Sequence, residues 1–503
     1  MRYWRTLNIV FWTMAACILC SLYAQVISGW AFGGPDHRLH YLPDGHGNTI
    51  MDFSAAGYRA GGVTLPSAAV CQRLHPVDGD NTARIQAALD RAAGAVVLEA
   101  GDYDLAGNLS MTHSGIVLRG EKGARIRLTG KPHSFLEIQG SGTWREEGAP
   151  APVLDAFVPA GASRFRIRGA TEFHPGDHVL VLRPVTAPWI HFMGIDVPAA
   201  ESPRQASTSA GSVISTDRII DSVEGDLVTL DVPLSDALDS HFTASSLVRY
   251  SFPGRIAEVG VEGLRITEAF DDPVIPQQAI VRMDAVEDGW IRDLEIETTQ
   301  NGIVIGQAAK RLSLTNIHIS HPKAHLGPAE AVDFTLQGTQ ILLDRCRVSG
   351  EDSWPVTVRS GATGPLVVLN SSAAHGGVAP DRPWTTGLLV DGGQFPGGTE
   401  RNPAILLASS PNGRSGQGWG IGWSVAWNVT SPFFLVQQPP GALNWCIGCM
   451  GTAVTIGGSP NGVLDSPGAM VFPSSLYLQQ LRDRLGPDAI RKIGYSEGAA
   501  KLL

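Results

Sequence analysis

The chain has 503 residues, a net charge of −10 and 43% hydrophobic residues. That is ample material for a large core, and the acidic balance excludes a generally basic nucleic-acid-binding surface. Any polyanionic ligand would need its own local basic cleft.

Arg2 and Arg5 precede an apolar run from Ile9 to Ala24 that continues, with one interruption, to Ile27. This is the pattern of an export signal cut after Ala24, or of an uncleaved anchor, because the run approaches bilayer length. The expected location is periplasmic or extracellular, with membrane contact only if residues 1–27 are retained. Further on, GDNTARIQAALDRA (79–92) repeats Ile85, Ala88, Leu89 and Ala92 at helical spacing behind Asp80 and Asn81 as caps. Short apolar runs follow at Val96–Leu98, Leu109–Met111, Ile116–Leu118 and Ile126–Leu128, each bounded by Gly, Asp or Asn. They are too closely spaced for intervening helices, which excludes a βαβ sheet.

Residues 152–250 break this rhythm. HPGDHVLVLRPVTAPWI and IIDSVEGDLVTLDVPL read as hairpin-like segments around a polar loop from Pro198 to Thr216, hence as a β insertion. Trp189 within it reads as a packed surface aromatic. Strand signals then recur at Leu264–Ile266, Leu294–Ile296, Ile317–Ile319 and Cys346–Val348, offset by 30, 23 and 29 residues. Ile303–Ile305, Ile341–Leu343 and Leu366–Leu369 fill the gaps. Repeats this small cannot bury their own faces, so they predict a solenoid of stacked coils, a parallel β-helix of the all-β class spanning residues 46–490. SSLYLQQLRDRLG (474–486) predicts a C-terminal amphipathic helix capped by Ser474 and stopped by Gly486.

Three local patterns carry further expectations. In RSGQGWGIGWSVAWNV (414–429), Trp419, Ile421, Trp423, Val425, Trp427 and Val429 share one parity, opposite Gly418, Gly420, Gly422, Ser424 and Ala426. Each glycine would weaken a helix by about 1 kcal/mol, so a strand with one bulky face is expected. A bend at Gly420 or Gly422 would turn Trp423 and Trp427 into the coil interior. Trp419 would then stand beside Gln417 and Arg414 at a groove, as a platform for a sugar. Cys446 and Cys449 have metal-site spacing without a second pair or a nearby histidine. On a strand they point oppositely, which predicts one core thiol and one exposed or otherwise paired. Asp284, Glu287 and Asp288 supply too few oxygens for Ca²⁺ and read as a solvated turn.

The interval from Ile319 to Trp384 is the richest in chemistry, with His321, Lys323, His325, Glu330 and Asp333 followed by Arg345, Arg347, Glu351, Asp352, Arg359, His375, Asp381 and Arg382. Hydrolysis of a glycosidic bond needs two carboxyls about 5–10 Å apart. β-Elimination needs a base and a cation beside the uronate. Coils stacked about 4.8 Å apart could present either set. Glu351, Asp352 and Asp381 are the candidate acid and base of a hydrolase. Lys323 and His325 are candidate bases of a lyase, with Arg345 a carboxylate binder. Arg359, His375, Arg382, Trp384, Arg414, Gln417 and Trp419 complete the expected substrate-binding set. No metal centre is assigned, and Ca²⁺ enters only with a lyase. Any one of these charges, taken alone, reads equally as part of a solvated outer wall.

GDNTARIQAALDRA with VVLEAGDYDL and SGIVLRGE resembles the opening of pectate-lyase-superfamily right-handed β-helices. MDFSAAGYRAGGVTLP (51–66), GDHVLVLRPVTAPWIHFMGID (176–196), VTLDVPLSDALD (228–239) and WNVTSPFFLVQQPPGALNWCIGC (427–449) resemble one bacterial group within it. The resemblance implies an exported protein acting on a polysaccharide by elimination or hydrolysis. The group's Gly-Pro-His-x-Arg-Trp, Gly-His-Gly-Trp and Gly-Arg-His-Asp patterns fall on Ala379–Trp384, Gly416–Trp419 and Gly350–Ser353. There Asp381, Gln417 and Asp352 replace the imidazoles, which implies either altered chemistry or a non-catalytic glycan-binding or envelope-structural β-helix.

Overall fold

The computed structural model describes residues 26–195, 209–270, 278–322, 330–350, 353–381, 383–408 and 419–500. Their strands stack into a ten-stranded and an eighteen-stranded sheet whose ladders within the coils are parallel, forming a right-handed parallel β-helix. The apolar repeats stand in one column. Ile126 lies beside Ile266, Ile266 beside Ile296, Ile296 beside Ile319, and Ile319 beside Val348. All five side chains are buried inside the coil, each contributing about 1.5–3 kcal/mol through lost water contact. The unequal sequence offsets are taken up in the connections, so the column keeps register although the period does not.

Two columns of residues with positive φ make the corners of the larger sheet. One runs through Glu258, Asp288, Arg311, Gln340 and Trp423 and the other through Asp293, Asn316, Arg345, Asn370 and Asn428. Asn and Asp tolerate this left-handed backbone because their short polar side chains bond locally. Between the corners the strands alternate inward and outward. Ala426 faces the coil interior, whereas Val425 and Trp427 face outward.

This corrects the expectation for the tryptophan stretch. The bend falls on Trp423 itself (φ 56), and Trp423 and Trp427 lie on the outer surface of the coil. They are buried there because Leu476, Tyr477, Leu478 and Leu481 of the C-terminal helix and Ile50, Met51 and Phe53 near the N-terminus cover them. The small residues of the other parity have their own use. A Cβ on Gly422 would overlap Trp384 Cη2 and stand 2.6 Å from Cζ2, so the glycine admits that indole. Gly422→Ala should therefore cost about 1–3 kcal/mol through overpacking, read as a lower denaturation midpoint with altered near-UV circular dichroism.

The cysteine expectation is corrected for a similar reason. Gly448 adopts φ 67 between the strands Asn444–Ile447 and Met450–Ala453. The turn restores the inward direction, and Cys446 and Cys449 are both buried free thiols of the coil interior.

Antiparallel strands Arg145–Pro152, Arg164–Arg166, His178–Pro184, Val213–Glu224, Leu227–Leu230 and Ser246–Ser251 form a separate sheet beside the coils. Because Ile126 stacks directly on Ile266, this insertion leaves the coil column unbroken. Its anchor is Asp217, which accepts Lys310 Nζ at 2.7 Å, Arg255 Nη1 and Nη2 at 3.0 Å and the Tyr250 hydroxyl at 2.8 Å. Arg311 pairs with Glu287 at 2.9 Å and Asp288 at 2.7 Å, and Asp284 accepts the amides of Ala285 and Ala308. That acidic cluster is thus held in ion pairs and backbone bonds, not spread on a solvated turn.

Among the described residues there are four α-helices: α1 (Thr82–Leu89), α2 (Ala187–Phe192), α3 (Leu476–Leu485) and α4 (Pro487–Lys492). Ser475, not Ser474, caps α3 by accepting the Leu478 amide, and Gly486 (φ 81) ends it. Val26–Ile27 pairs with Val471–Phe472. No helix among the described residues is long and apolar enough to cross a membrane, and residues 1–25 lie outside them.

The Asp391 carboxylate meets the start of α3, accepting Ser475 Oγ and the Tyr477 amide, both at 2.7 Å. Burial nevertheless pushes its pKa up to about 7, outweighing those bonds. The folded state therefore holds a proton that the unfolded chain releases near pH 4. The associated stability is complete below that value and is lost as pH rises towards 7. The loss is on the order of 4 kcal/mol at most, at about 1.4 kcal/mol per pH unit. Thermal denaturation between pH 5 and 8 should show wild type falling relative to Asp391→Asn, which lacks this titration.

Candidate active-site cleft

The outward face of the ten-stranded sheet carries a cavity of about 390 Å³. Its floor includes Val304, Thr335 and Thr357, which register places side by side on successive coils. The hydroxyls replace apolar side chains in otherwise buried strands and give the floor hydrogen-bonding capacity.

Charge is placed at the two ends. Glu330 and Asn301 line one end, just before Ala331–Leu336 and at the start of Asn301–Ile305. Arg359 and Asp381 line the other, with Nε 3.9 Å from Oδ2. Register relates the ends: Ala331 is level with Ser353, and Leu336 with Val358 and Pro380. Glu330 and Asp381 are therefore separated by roughly seven strand positions, about 20 Å at ~3.3 Å per residue. That exceeds the roughly 5–10 Å of a glycosidase carboxyl pair, so these two cannot act together on one bond.

Beneath the Glu330 end lies a buried chain of polar groups. Ser353 Oγ donates to Asp333 Oδ2 at 2.8 Å, and His321 Nε2 lies 2.6 Å from Asp333 Oδ1. Burial pushes the Asp333 carboxyl up. Burial draws the His321 imidazole down, but the bond and charge of Asp333 outweigh it, for a net upward shift. The chain links two successive coils beside Glu330, His321 and Asp333 on one and Ser353 on the next, and so fixes the cleft wall that Glu330 stands on.

Of the residues singled out from the sequence, Arg359 and Asp381 come together in this cleft. Lys323, His325, Glu351, Asp352, Arg382, Arg414 and Gln417 lie outside the described residues. Arg345 is engaged elsewhere. Its corner conformation aims it at the C-terminus, where it pairs with Asp344 at 2.6 Å, donates to the Ile493 carbonyl at 2.9 Å and stacks on Tyr495. His375 is exposed on the loop after Ser372–Ala373 and does not line the cavity. Trp384 is buried, donating its indole N–H to Asp236 at 2.9 Å on the insertion side of the coils. Trp419 is half-buried against the outer aromatic cluster and does not line the cleft. Thr335 and Thr357 were not singled out, because a hydroxyl inside an apolar run acquires meaning only when coil register is known. Among the described residues, no cluster of three or more His, Cys, Asp or Glu side chains is arranged to hold a metal ion.

No protein-family profile and no curated protein sequence matches the chain. Solved structures with similar coils include the tailspike protein gp49 from Pseudomonas phage LKA1, 15% identical, covering 77% of this chain and 74% of that one, with a TM-score of 0.41. The tailspike protein of E. coli bacteriophage HK620, in complex with a pentasaccharide, is 11% identical, with 88% and 69% covered and a TM-score of 0.36. The Gp54 tailspike of Acinetobacter baumannii bacteriophage AP22, in complex with a capsular saccharide, is 10% identical, with 78% and 73% covered and a TM-score of 0.30. At such identities the likeness concerns the fold alone.

Proposed function

We propose that this chain is an exported, pectate-lyase-like β-helix protein that binds a polysaccharide across the ten-stranded sheet and cleaves it by hydrolysis. The observation that carries the reading is the cleft itself: a hydroxyl floor with a carboxylate at one end and an ion pair at the other. Glu330 is the proposed acid or base. Its partner is drawn from Glu351 and Asp352, which directly precede Ser353 in the chain. Arg359 and Asp381 are proposed to hold the substrate at the far end.

Hydrolysis is favoured over elimination by the charge of the lining. Two carboxylates and one guanidinium are described there, and the guanidinium already faces Asp381. Against the described lining residues a uronate chain meets an excess of carboxylate, which a neutral polysaccharide does not feel. The test is incubation with a panel of neutral and uronate polysaccharides, following both new reducing ends and absorbance near 235 nm, an approximate wavelength for the unsaturated product of base-catalysed elimination. Reducing ends without absorbance support the proposal. Both signals together indicate a lyase with Ca²⁺ to be sought, and neither leaves a glycan-binding or structural β-helix.

A further inference from the structure

A second cavity, of about 410 Å³, opens where the insertion meets the coils, and nothing in the cleavage reading uses it. Its volume falls in the range of about 300–1,000 Å³ typical of small-molecule sites. The walls come from separate parts of the chain: Trp189 and Phe192 of α2, Asp236 and Phe242 of the insertion, and Trp384 and Trp423 of the coils.

One carboxylate organises the aromatic wall. Asp236 Oδ2 accepts the Trp384 indole N–H at 2.9 Å, and Oδ1 accepts that of Trp423 at 3.0 Å. Arg183 Nη2 also lies 2.9 Å from Oδ2, and its guanidinium packs over the Trp189 ring at 4.5 Å. Arg183 is only 8% exposed at its side chain, yet its Nη2 is buried without a hydrogen bond aligned on an acceptor. The contrast with Arg218, buried in the same insertion, is direct. Arg218 places its donors on the carbonyls of Val232, Asp217, Pro233 and Gly364 and on the Thr339 hydroxyl. A buried guanidinium left with an unused donor is costly unless something else accepts from it. That of Arg183 borders the cavity.

At the mouth, Phe192 is 40% exposed and stacked on Phe242 at 4.4 Å. Flat aromatic faces beside focused N–H donors suit a pyranose ring, which offers C–H groups on its face and oxygens around its edge. Charge selects the type of sugar. Asp44, Asp236 and Asp239 outnumber Arg183 in the lining, so an anionic sugar is repelled.

We infer that this junction cavity is a binding site for an uncharged saccharide unit, distinct from the cleft on the ten-stranded sheet. The inference does not depend on whether that cleft cleaves anything. The test is titration of the full chain with cellobiose, maltose, lactose, N,N′-diacetylchitobiose and digalacturonate, following tryptophan fluorescence. At least one neutral disaccharide should give a saturating change. Phe192→Ala, which removes an exposed ring, should weaken that binding by about tenfold, and Arg183→Lys should weaken it as well. Failure of every neutral probe, preference for digalacturonate, or unchanged affinity in Phe192→Ala would each overturn the site.

Discussion

Glu330→Gln should lower polysaccharide cleavage by at least about a hundredfold without lowering the denaturation midpoint. A positioned acid or base contributes on the order of 10²–10⁴ to the rate. Gln keeps the size of the side chain but neither donates nor accepts the transferred proton. Glu330 is exposed at the edge of its strand, so the amide that replaces its carboxylate stays in contact with water. Asp381→Asn should behave differently. Asp381 stands roughly 20 Å away by register and faces Arg359, so its loss should raise KM while kcat is largely kept. Steady-state kinetics of the two variants separate the roles. Equal kcat losses in both would break the division of the cleft into a reacting end and a holding end.

Asp217→Asn should destabilise the protein by about 3–5 kcal/mol, a large part of the ~5–15 kcal/mol that a fold has in reserve. Lys310 is fully buried, and Arg255 is nearly so. Both rely on the Asp217 carboxylate, and an amide would leave Lys310 in the interior without its anion and Arg255 with only Glu287, 3.8 Å away. Burial alone would raise the Asp217 pKa, but the charges of Lys310 and Arg255 outweigh it and hold the carboxyl well below its usual range. The stability it supplies is therefore present above pH ~4 and is lost as pH falls through the lower native value. This is the opposite sense to Asp391, whose contribution is lost on the alkaline side. Asp217→Asn combined with Lys310→Met should recover part of the loss, because it removes a stranded charge instead of creating one. Urea denaturation of the three variants reads both effects. If Asp217→Asn shifts the midpoint by less than 1 kcal/mol equivalent, the ion cluster does not anchor the insertion.

The coil column was readable from sequence because interior packing depends on side-chain type. Leu, Ile and Val recur wherever a strand faces inward, and Ile266, Ile296 and Ile319 stack as their spacing implied. The corners were not readable. Trp423 and Arg345 adopt a left-handed backbone that their side chains do not announce, and each corner reverses the parity on which an inside–outside assignment rests. That is why the parity of 419–429 misplaces Trp423 and Trp427, which lie outside the wall, while Ile421 and Val429 of the same parity face the interior. The cleft was partly legible: Arg359 and Asp381 stand out as charges, whereas the Thr335–Thr357 floor depends on a 22-residue register. The Arg183–Asp236 pair joins positions far apart in the chain, and no local pattern links them.

In the proposed function, water breaks a glycosidic bond in the ten-stranded cleft. Digestion in H₂¹⁸O, followed by mass spectrometry of the released oligosaccharides, tests it most directly. One ¹⁸O at each new reducing end and none at the new non-reducing end, with no labelled product from Glu330→Gln, is the predicted result. Unsaturated ends lacking ¹⁸O, or ¹⁸O incorporation that persists in Glu330→Gln, would contradict it.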